Sequence, residues 1–221
     1  MPENNKIKGK IILRGQLECL SPIHVGSGRD ENSDLDILRN AKGEPFIPAT
    51  SFIGILRHIF LYEIFNENNE NLDQNFKEFW GYTENDEGQQ SAVSCSNLPL
   101  VNVVDSDIIS RDGIKINDEK GLVEEKGKFD FELLERGALF DLNMEFTYHR
   151  ENEVYVKRTV RTIYDLLAIG KINIGGKTNA GFGQVVLKDD SEVYVFDFFT
   201  NRKNVSNWLL QNYAKENLIS A

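Results

Sequence analysis

The sequence predicts an α+β fold in which strands and helices follow a split βαββαβ order enlarged by insertions. Three observations support this: an alternating apolar strand pattern opens the chain, two amphipathic helical segments follow at a distance from each other, and further strand patterns come after each helix. With 221 residues, 40% of them hydrophobic, the chain can bury one sizeable core. We therefore expect a single domain over 1–221, with insertions at about 66–90 and 105–128.

The first half of the chain contains the first strand and the first helix. Lys8 to Leu20 alternates apolar and polar residues, which indicates a strand. Ile23 to Thr50 is rich in Gly, Asp, Asn and Pro, which is typical of a long functional loop. Ser51 to Phe65 carries an apolar stripe at helical spacing, and Thr50 or Ser51 can cap it. A short helix is expected over Asn75 to Trp80, ending at Gly81.

The second half repeats this alternation of strands and helices. Asp105 to Lys128 is charged and contains glycines, which favours a protruding hairpin. The expected strands are Ala92 to Val104 (a strand pair or a broken strand), Phe129 to Leu134, Leu139 to His149, Gln184 to Leu187 and Val193 to Phe198. The expected helices are Lys157 to Ile169, which ends before Gly170, and a terminal helix over Val205 to Leu218.

The charge distribution bears on nucleic-acid binding. The net charge of −10 argues against it, since phosphate contacts need Lys and Arg. However, Glu63 to Glu87 carries −7 and Asp105 to Glu135 carries −5, which leaves the remainder at about +2. An acidic periphery beside a mildly basic surface is compatible with RNA, although a solvated acidic surface is the simpler interpretation.

Cysteine content and hydropathy indicate the compartment. Cys19 and Cys95 are the only cysteines and neither belongs to a CxxC, so buried thiols are favoured over a disulfide or a metal site. No stretch of about 18 apolar residues exists, and Met1 to Lys10 lacks an apolar signal core. We expect a cytoplasmic protein without membrane contact.

A glycine-rich run, Gly175 to Gly183, is the first candidate binding segment. Gly176-Lys177-Thr178 imitates a phosphate-binding P-loop, but Lys171 stands where the first glycine is required and a strand, not a helix, follows. Gly176 and Gly181 would still let the backbone approach a phosphate, and Lys177 adds a charge. Taken alone, the run is better explained as a turn tightened for packing.

The long loop carries the second group of candidates. His24 could contact RNA or act as an acid or base, although a lone histidine is more often structural. Asp34 and Asp36 face one way if the chain is extended, and could hold Mg²⁺ through water or polarise a ribose 2′-hydroxyl. Alternatively, these acids only pair with Arg29 or Arg39.

The start of the first helix is the third candidate. Pro45 to Pro48 stiffens the turn that leads into it, and Thr50 and Ser51 offer hydroxyls next to free N–H groups. Arg57 lies within about two turns of that end. This combination suits a phosphate, and ordinary helix capping is the alternative.

Taken together, these segments resemble the RAMP superfamily of CRISPR proteins, and most closely the repeated backbone subunit of type III effector complexes. The resemblance spans about Lys8 to Leu187 and also includes thumb-like stretches at Arg111 to Ile114 and Glu132 to Phe140. The motifs that carry it, in chain order, are Ser21-Pro22-Ile23-His24-Val25-Gly26-Ser27-Gly28, Asp34, Arg39, Pro45-Phe46-Ile47-Pro48, Thr50 to Arg57 and Gly175 to Gly183.

The resemblance implies a ferredoxin-like, RRM-related palm with inserted finger and thumb segments. It also implies that copies of the protein stack along a guide RNA together with other effector subunits. A single-stranded target RNA would pair with that guide, and a loop aspartate would support its cleavage with Mg²⁺ or Mn²⁺. Counted back from Arg39, Asp34 matches that catalytic and metal-binding aspartate, with Asp36 beside it. The residues implied in RNA binding are His24, Arg39, Thr50, Ser51, Arg57, Gly176, Lys177 and Gly181.

Three other functions stay open on the sequence. The chain could be a RAMP scaffold or capping subunit without catalytic activity. It could be a metal-free endoribonuclease that processes CRISPR RNA with His24. It could also be a protein-binding module whose acidic faces meet basic partners.

Overall fold

The main sheet is built on the long first strand, β1 (Ile7–Cys19). The computed structural model describes residues 6–26, 36–64, 73–84, 87–103, 108–116 and 123–198. The other strands are β2 (Phe46–Ile47), β3 (Tyr82–Glu84), β4 (Glu87–Gln89), β5 (Val93–Cys95), β6 (Leu98–Pro99), β7 (Ile108–Ile116), β8 (Val123–Leu134), β9 (Leu139–His149), β10 (Ile172–Asn173), β11 (Gln184–Leu187) and β12 (Glu192–Asp197). The helices are α1 (Ala49–His58), which continues as a π-helix (Ile59–Ile64), α2 (Gln74–Trp80), α3 (Glu153–Ala168) and a 3₁₀ turn (Thr178–Ala180).

The sheet has the strand order β10-β11-β1-β9-β5, and every neighbouring pair is antiparallel. β12 also pairs with β1, alongside its first half, while β11 pairs with its last residues. In chain order, β1, α1, β5, β9, α3 and β11 reproduce the βαββαβ skeleton. The predicted α+β, ferredoxin-like fold is confirmed.

The core lies between this sheet and the helices. Alternate residues of β1 and β9 point inward, as the sequence alternation predicts. They meet the apolar stripes of α1 and α3, of which Phe52, Leu56, Val160 and Ile163 are almost completely buried. The sheet thus fixes where each helix begins and where the loops between them emerge.

The start of α1 differs from the prediction. Pro48 occupies the N-cap position and no side chain of the first turn caps the helix, so the predicted cap at Thr50 or Ser51 is wrong. Instead, Oδ1 of Asn97 accepts a hydrogen bond from the N–H of Ala49 at 2.9 Å. A residue distant in sequence satisfies a donor that a local hydroxyl was expected to satisfy, which spacing rules cannot anticipate.

The hairpin is longer than the sequence suggested. β7 and β8 form a separate two-stranded antiparallel sheet, and β8 continues without interruption through Phe129 to Leu134. The expected boundary at Lys128 is therefore a point within a strand. The base of the hairpin is buried at Phe131, Leu133 and Leu134.

Several other expectations can be compared with the structure. α2 ends at Gly81 as predicted, but it packs into the core through Phe76, Phe79 and Trp80, although it lies within the segment expected to be an insertion. Ala92 to Val104 is a broken strand, because β5 and β6 join different sheets. The terminal helix expected over Val205 to Leu218 lies outside the described residues. Within the described residues, no helix is long and apolar enough to cross a membrane.

Both cysteines are free thiols; Cys19 is buried as expected, whereas Cys95 is only partly buried. Burial, aided by the charge of Glu18, raises the pKa of Cys19 to about 12. Burial likewise raises the pKa of Cys95 to about 12. Both thiols are therefore protonated at neutral pH, which makes them poor nucleophiles and poor metal ligands.

Gly9 in β1 provides a test of this packing. A Cβ atom at Gly9 would lie 1.9 Å from the carbonyl oxygen of Phe196 and 2.3 Å from Oη of Tyr148. Gly9→Ala should therefore lower the free energy of unfolding by about 1–3 kcal/mol, measured by urea denaturation.

The matched control is Gly54→Ala in α1, where an added Cβ meets no atom within 4 Å. This change should stabilise the protein by up to about 1 kcal/mol, because alanine favours a helix more than glycine does. An unchanged unfolding midpoint for Gly9→Ala would contradict the close packing of β1.

Candidate nucleic-acid interface

The segment after β1 joins the base of the hairpin at His24. Ile23 and Leu134 exchange two backbone hydrogen bonds, of 2.8 and 2.9 Å. The His24 ring lies edge-on to Phe131, and its Nδ1 donates a hydrogen bond of 2.8 Å to the carbonyl oxygen of Glu132. His24 is only 5% exposed, so its ring holds this junction together. In this structure the ring serves as a packing and hydrogen-bonding group.

The glycine-rich loop packs against the same segment. The N–H of Gly176 donates to the carbonyl oxygen of His24, and that of Gly183 donates to Pro22, both at 2.8 Å. Gly175 has a φ of 90°, and a Cβ there would lie 2.2 Å from the His24 oxygen. Gly175 is therefore a glycine because the close packing on His24 leaves no room for a Cβ. The N–H of Gly176 is used within the protein, by the bond to the His24 carbonyl oxygen. Gly181 is exposed, with open space around it.

Two cations fix the glycine-rich loop to the hairpin. Lys177 adopts a left-handed backbone conformation, and its Nζ lies 4.6 Å from the ring centroid of Phe129 and 4.3 Å from that of Phe131. The guanidinium of Arg111 lies 5.8 Å from the ring centroid of Phe182. These cation–π contacts leave each cation its charge while they connect the two elements.

The ends of the loop that carries Asp34 are placed beside the hairpin. Gly26 and Ile37 form a β-bridge, and the Glu132 carboxylate accepts the Ile37 N–H at 3.2 Å. The same carboxylate accepts two hydrogen bonds from Nη2 of Arg39, at 3.0 and 3.1 Å. Arg39 thus bonds a residue of the hairpin. Asp36 is exposed at the end of the loop, whereas Asp34 lies outside the described residues.

A groove of about 610 Å³ runs between α1 and the glycine-rich loop. The α1 side includes Thr50, Ser51 and His58, and the opposite side includes Lys171, Thr178 and Asn179. Hydroxyls, amides and one ammonium group are donors that suit ribose and phosphate oxygens. The structure thus brings the predicted helix start and the predicted loop to one surface.

One comparison with known proteins identifies the family of this chain. The sequence model of the RAMP superfamily matches residues 16–186, which is more than half of the chain. This chain belongs to the RAMP superfamily. A search among curated proteins finds no match.

Membership makes this RAMP protein a CRISPR-associated RNA-binding module, whose partners are CRISPR RNA and other effector subunits. Several residues of the groove were not anticipated from the sequence. Thr178 and Asn179 directly follow Lys177 in the run singled out above, whereas His58 and Lys171 stand in no motif. Arg57 is not part of the groove lining. Its guanidinium packs elsewhere, 5.6 Å from the ring centroid of Phe76.

No metal cluster is formed by the described part of this RAMP protein: no three His, Cys, Asp or Glu side chains there are arranged to hold an ion. The predicted metal ligand, Asp34, lies outside that part. The metal assignment therefore stays a prediction.

Glu132 is the residue to change in order to test how the Asp34 loop is held. Glu132→Ala removes the acceptor of Arg39 and of the Ile37 N–H, so exchange of the Ile37 and Leu38 amide hydrogens should accelerate. Hydrogen exchange followed by NMR measures this effect.

The control is Glu135→Ala, which removes the exposed pair with Arg111 on the same hairpin and should leave those amides unchanged. If the Ile37 amide exchanged at the same rate in the wild type, Glu132→Ala and Glu135→Ala, Glu132 would not hold the loop.

Proposed function

We propose that this RAMP protein is a guide-RNA-binding backbone subunit of a type III CRISPR effector complex, which cleaves paired target RNA through Asp34 with Mg²⁺ or Mn²⁺. One observation supports both parts of the proposal. The glycine-rich loop lines the groove with Thr178 and Asn179. The N–H of Gly176 in the same loop donates a hydrogen bond to the carbonyl oxygen of His24. His24 lies two residues before Gly26, where the segment that contains Asp34 begins. An RNA strand bound in the groove would thus lie against the glycine-rich loop, which also bonds His24 next to the start of the Asp34 segment.

The donor set fits a hydrated divalent cation. Mg²⁺ keeps several water ligands and takes one or two protein carboxylates together with phosphate oxygens. Asp34, with the exposed Asp36 two residues away, can supply those carboxylates. When bound, the cation would supply stabilisation of negative charge on the phosphate while the ribose 2′-hydroxyl attacks phosphorus in line and the bond to the leaving 5′-oxygen breaks.

The protein's own residues have separate parts in this proposal. The Glu132 carboxylate bonds Arg39 and the Ile37 N–H and so holds the described end of the loop, at 36–39. The groove orients the RNA backbone. His24 is buried and bonded to a carbonyl group, which disfavours the metal-free processing enzyme relative to metal-dependent cleavage.

Electrostatic RNA binding is tested with lysine variants. Lys171→Ala and Lys177→Ala should each weaken binding, because each removes a cation that can pair with an RNA phosphate. Each change should also flatten the dependence of log K on log salt by about one unit per phosphate that is no longer neutralised. The measurement is a salt titration of the affinity for single-stranded RNA.

Lys188→Ala is the control, because Lys188 lies in the turn between β11 and β12, outside both the groove and the glycine-rich loop. Wild-type affinity and slope in Lys171→Ala would contradict the assignment of the groove to RNA. The same result in Lys177→Ala would contradict a phosphate contact of the glycine-rich loop.

Cleavage is tested with Asp34→Ala in a complex reconstituted with guide RNA and a complementary target. The rate should fall by more than about 100-fold, since even indirect partners of metal ligands contribute about 10–100-fold. Target binding should change little, because one loop carboxylate adds little affinity. Asp36→Ala is expected to have a smaller effect, and EDTA should abolish cleavage by the wild-type complex.

Full cleavage by the Asp34→Ala complex would favour a scaffold or capping subunit. Cleavage that persists in EDTA would favour a metal-free mechanism.

A further inference from the structure

An exposed aromatic pair lies where α1 changes into a π-helix. The rings of His58 and Tyr62 are 4.6 Å apart between centroids and tilted by 46°. Of the Phe, Tyr and Trp residues in the described part of the chain, Tyr62 is the most exposed, at 44%. Short π-helical turns occur frequently at functional sites. The pair thus presents an open aromatic surface next to an unusual helical turn.

One member of this pair lines the groove. His58 lies in the lining on the α1 side, as does Glu63 in the π-helical turn. Tyr62 is outside the lining and is joined to it through its contact with His58. At 1.5 Å per residue, Thr50 and Glu63 are about 20 Å apart along the helix. An aromatic surface at one end of a polar groove with a cation is the combination that binds single-stranded nucleic acid, because stacking tolerates any base while donors hold the backbone.

We propose that His58 and Tyr62 form a stacking platform for one nucleobase of single-stranded RNA lying in this groove; the proposal rests on the proposed RNA-binding function. The base packs on the exposed aromatic surface. The ribose and phosphate turn towards Lys171 and Thr178, which supply a cation and a hydroxyl across the groove.

Glu63 determines which way round the nucleotide lies. Its carboxylate repels a phosphate but accepts hydrogen bonds, so it favours a base amino group or a ribose 2′-hydroxyl at the π-helical end. The phosphate is therefore directed to the Lys171 side. If the ribose 2′-hydroxyl donates to the Glu63 carboxylate, the platform prefers RNA over DNA, because DNA lacks this hydroxyl.

Helix packing alone would make a different prediction. An aromatic pair at positions i and i+4 stabilises a helix by a few tenths of a kcal/mol, with no connection to RNA. If that were its whole role, loss of Tyr62 would change stability slightly and would leave the affinity for RNA unchanged.

The experiment uses the full chain and a series of single-stranded RNAs in which 2-aminopurine replaces one base at successive positions. Stacking on the platform should quench 2-aminopurine fluorescence at one position of the bound RNA. Tyr62→Leu should remove this quenching and weaken binding roughly 5- to 100-fold, as expected when one base–aromatic stack is removed. Tyr62→Phe should retain both, and the salt slope should be the same in all three proteins.

The matched control is Tyr194→Leu on β12, which removes a tyrosine whose ring stacks on Phe196 and not on a residue of the groove, and it should leave quenching unchanged. Urea denaturation checks that the variants are folded, and His58→Leu provides a second reading of the platform. The platform would be overturned, with the proposed function intact, if the wild type, Tyr62→Leu and His58→Leu all bound RNA with the same affinity and quenched 2-aminopurine equally. Failure of the wild type to bind any RNA would overturn the proposed function and the platform with it.

Discussion

Backbone pairing between Ile23 and Leu134 is the interaction on which the candidate interface depends. Two hydrogen bonds in opposite directions extend the first strand into the base of the hairpin, and they bring His24 under Phe131. The glycine-rich loop can then close over the same segment through Gly176 and Gly183. Three segments distant in sequence therefore meet at one place, and each uses main-chain groups that no side-chain substitution removes.

Ion pairs within the fold do not remove the negative charge of the chain, because they use cations as well as acids. Glu132 bonds Arg39, Glu135 bonds Arg111, and Glu153 bonds Lys8 and Lys157. Burial acts to raise the pKa of Glu153, but the hydrogen bonds and charges of those two lysines outweigh it and lower the pKa. RNA binding by this acidic chain therefore depends on which cations line the groove, such as Lys171, and not on the net charge alone.

The sequence predicted the parts of the fold that depend on local pattern. Alternation identified β1 and β9, and the helical stripe identified α1, because burial on one face imposes a fixed period. Contacts between distant segments were not predictable. The cap supplied by Asn97, the acceptor that Glu132 offers to Arg39, and the position of Lys171 opposite Thr50 depend on how loops meet. The candidate residues Thr50 and Ser51 were identified from a helix start, but their neighbours across the groove required the structure.

The short outer strands of the main sheet have a consequence for self-association. β5 and β10 close the two ends of the strand order with three and two residues, and the six-residue β12 begins and ends with the acidic residues Glu192 and Asp197. Short or charged edges are poor templates for the addition of a further strand. A second protein chain is therefore expected to meet this sheet through side-chain surfaces and not by adding a strand, which disfavours β-aggregation at the edges of the main sheet.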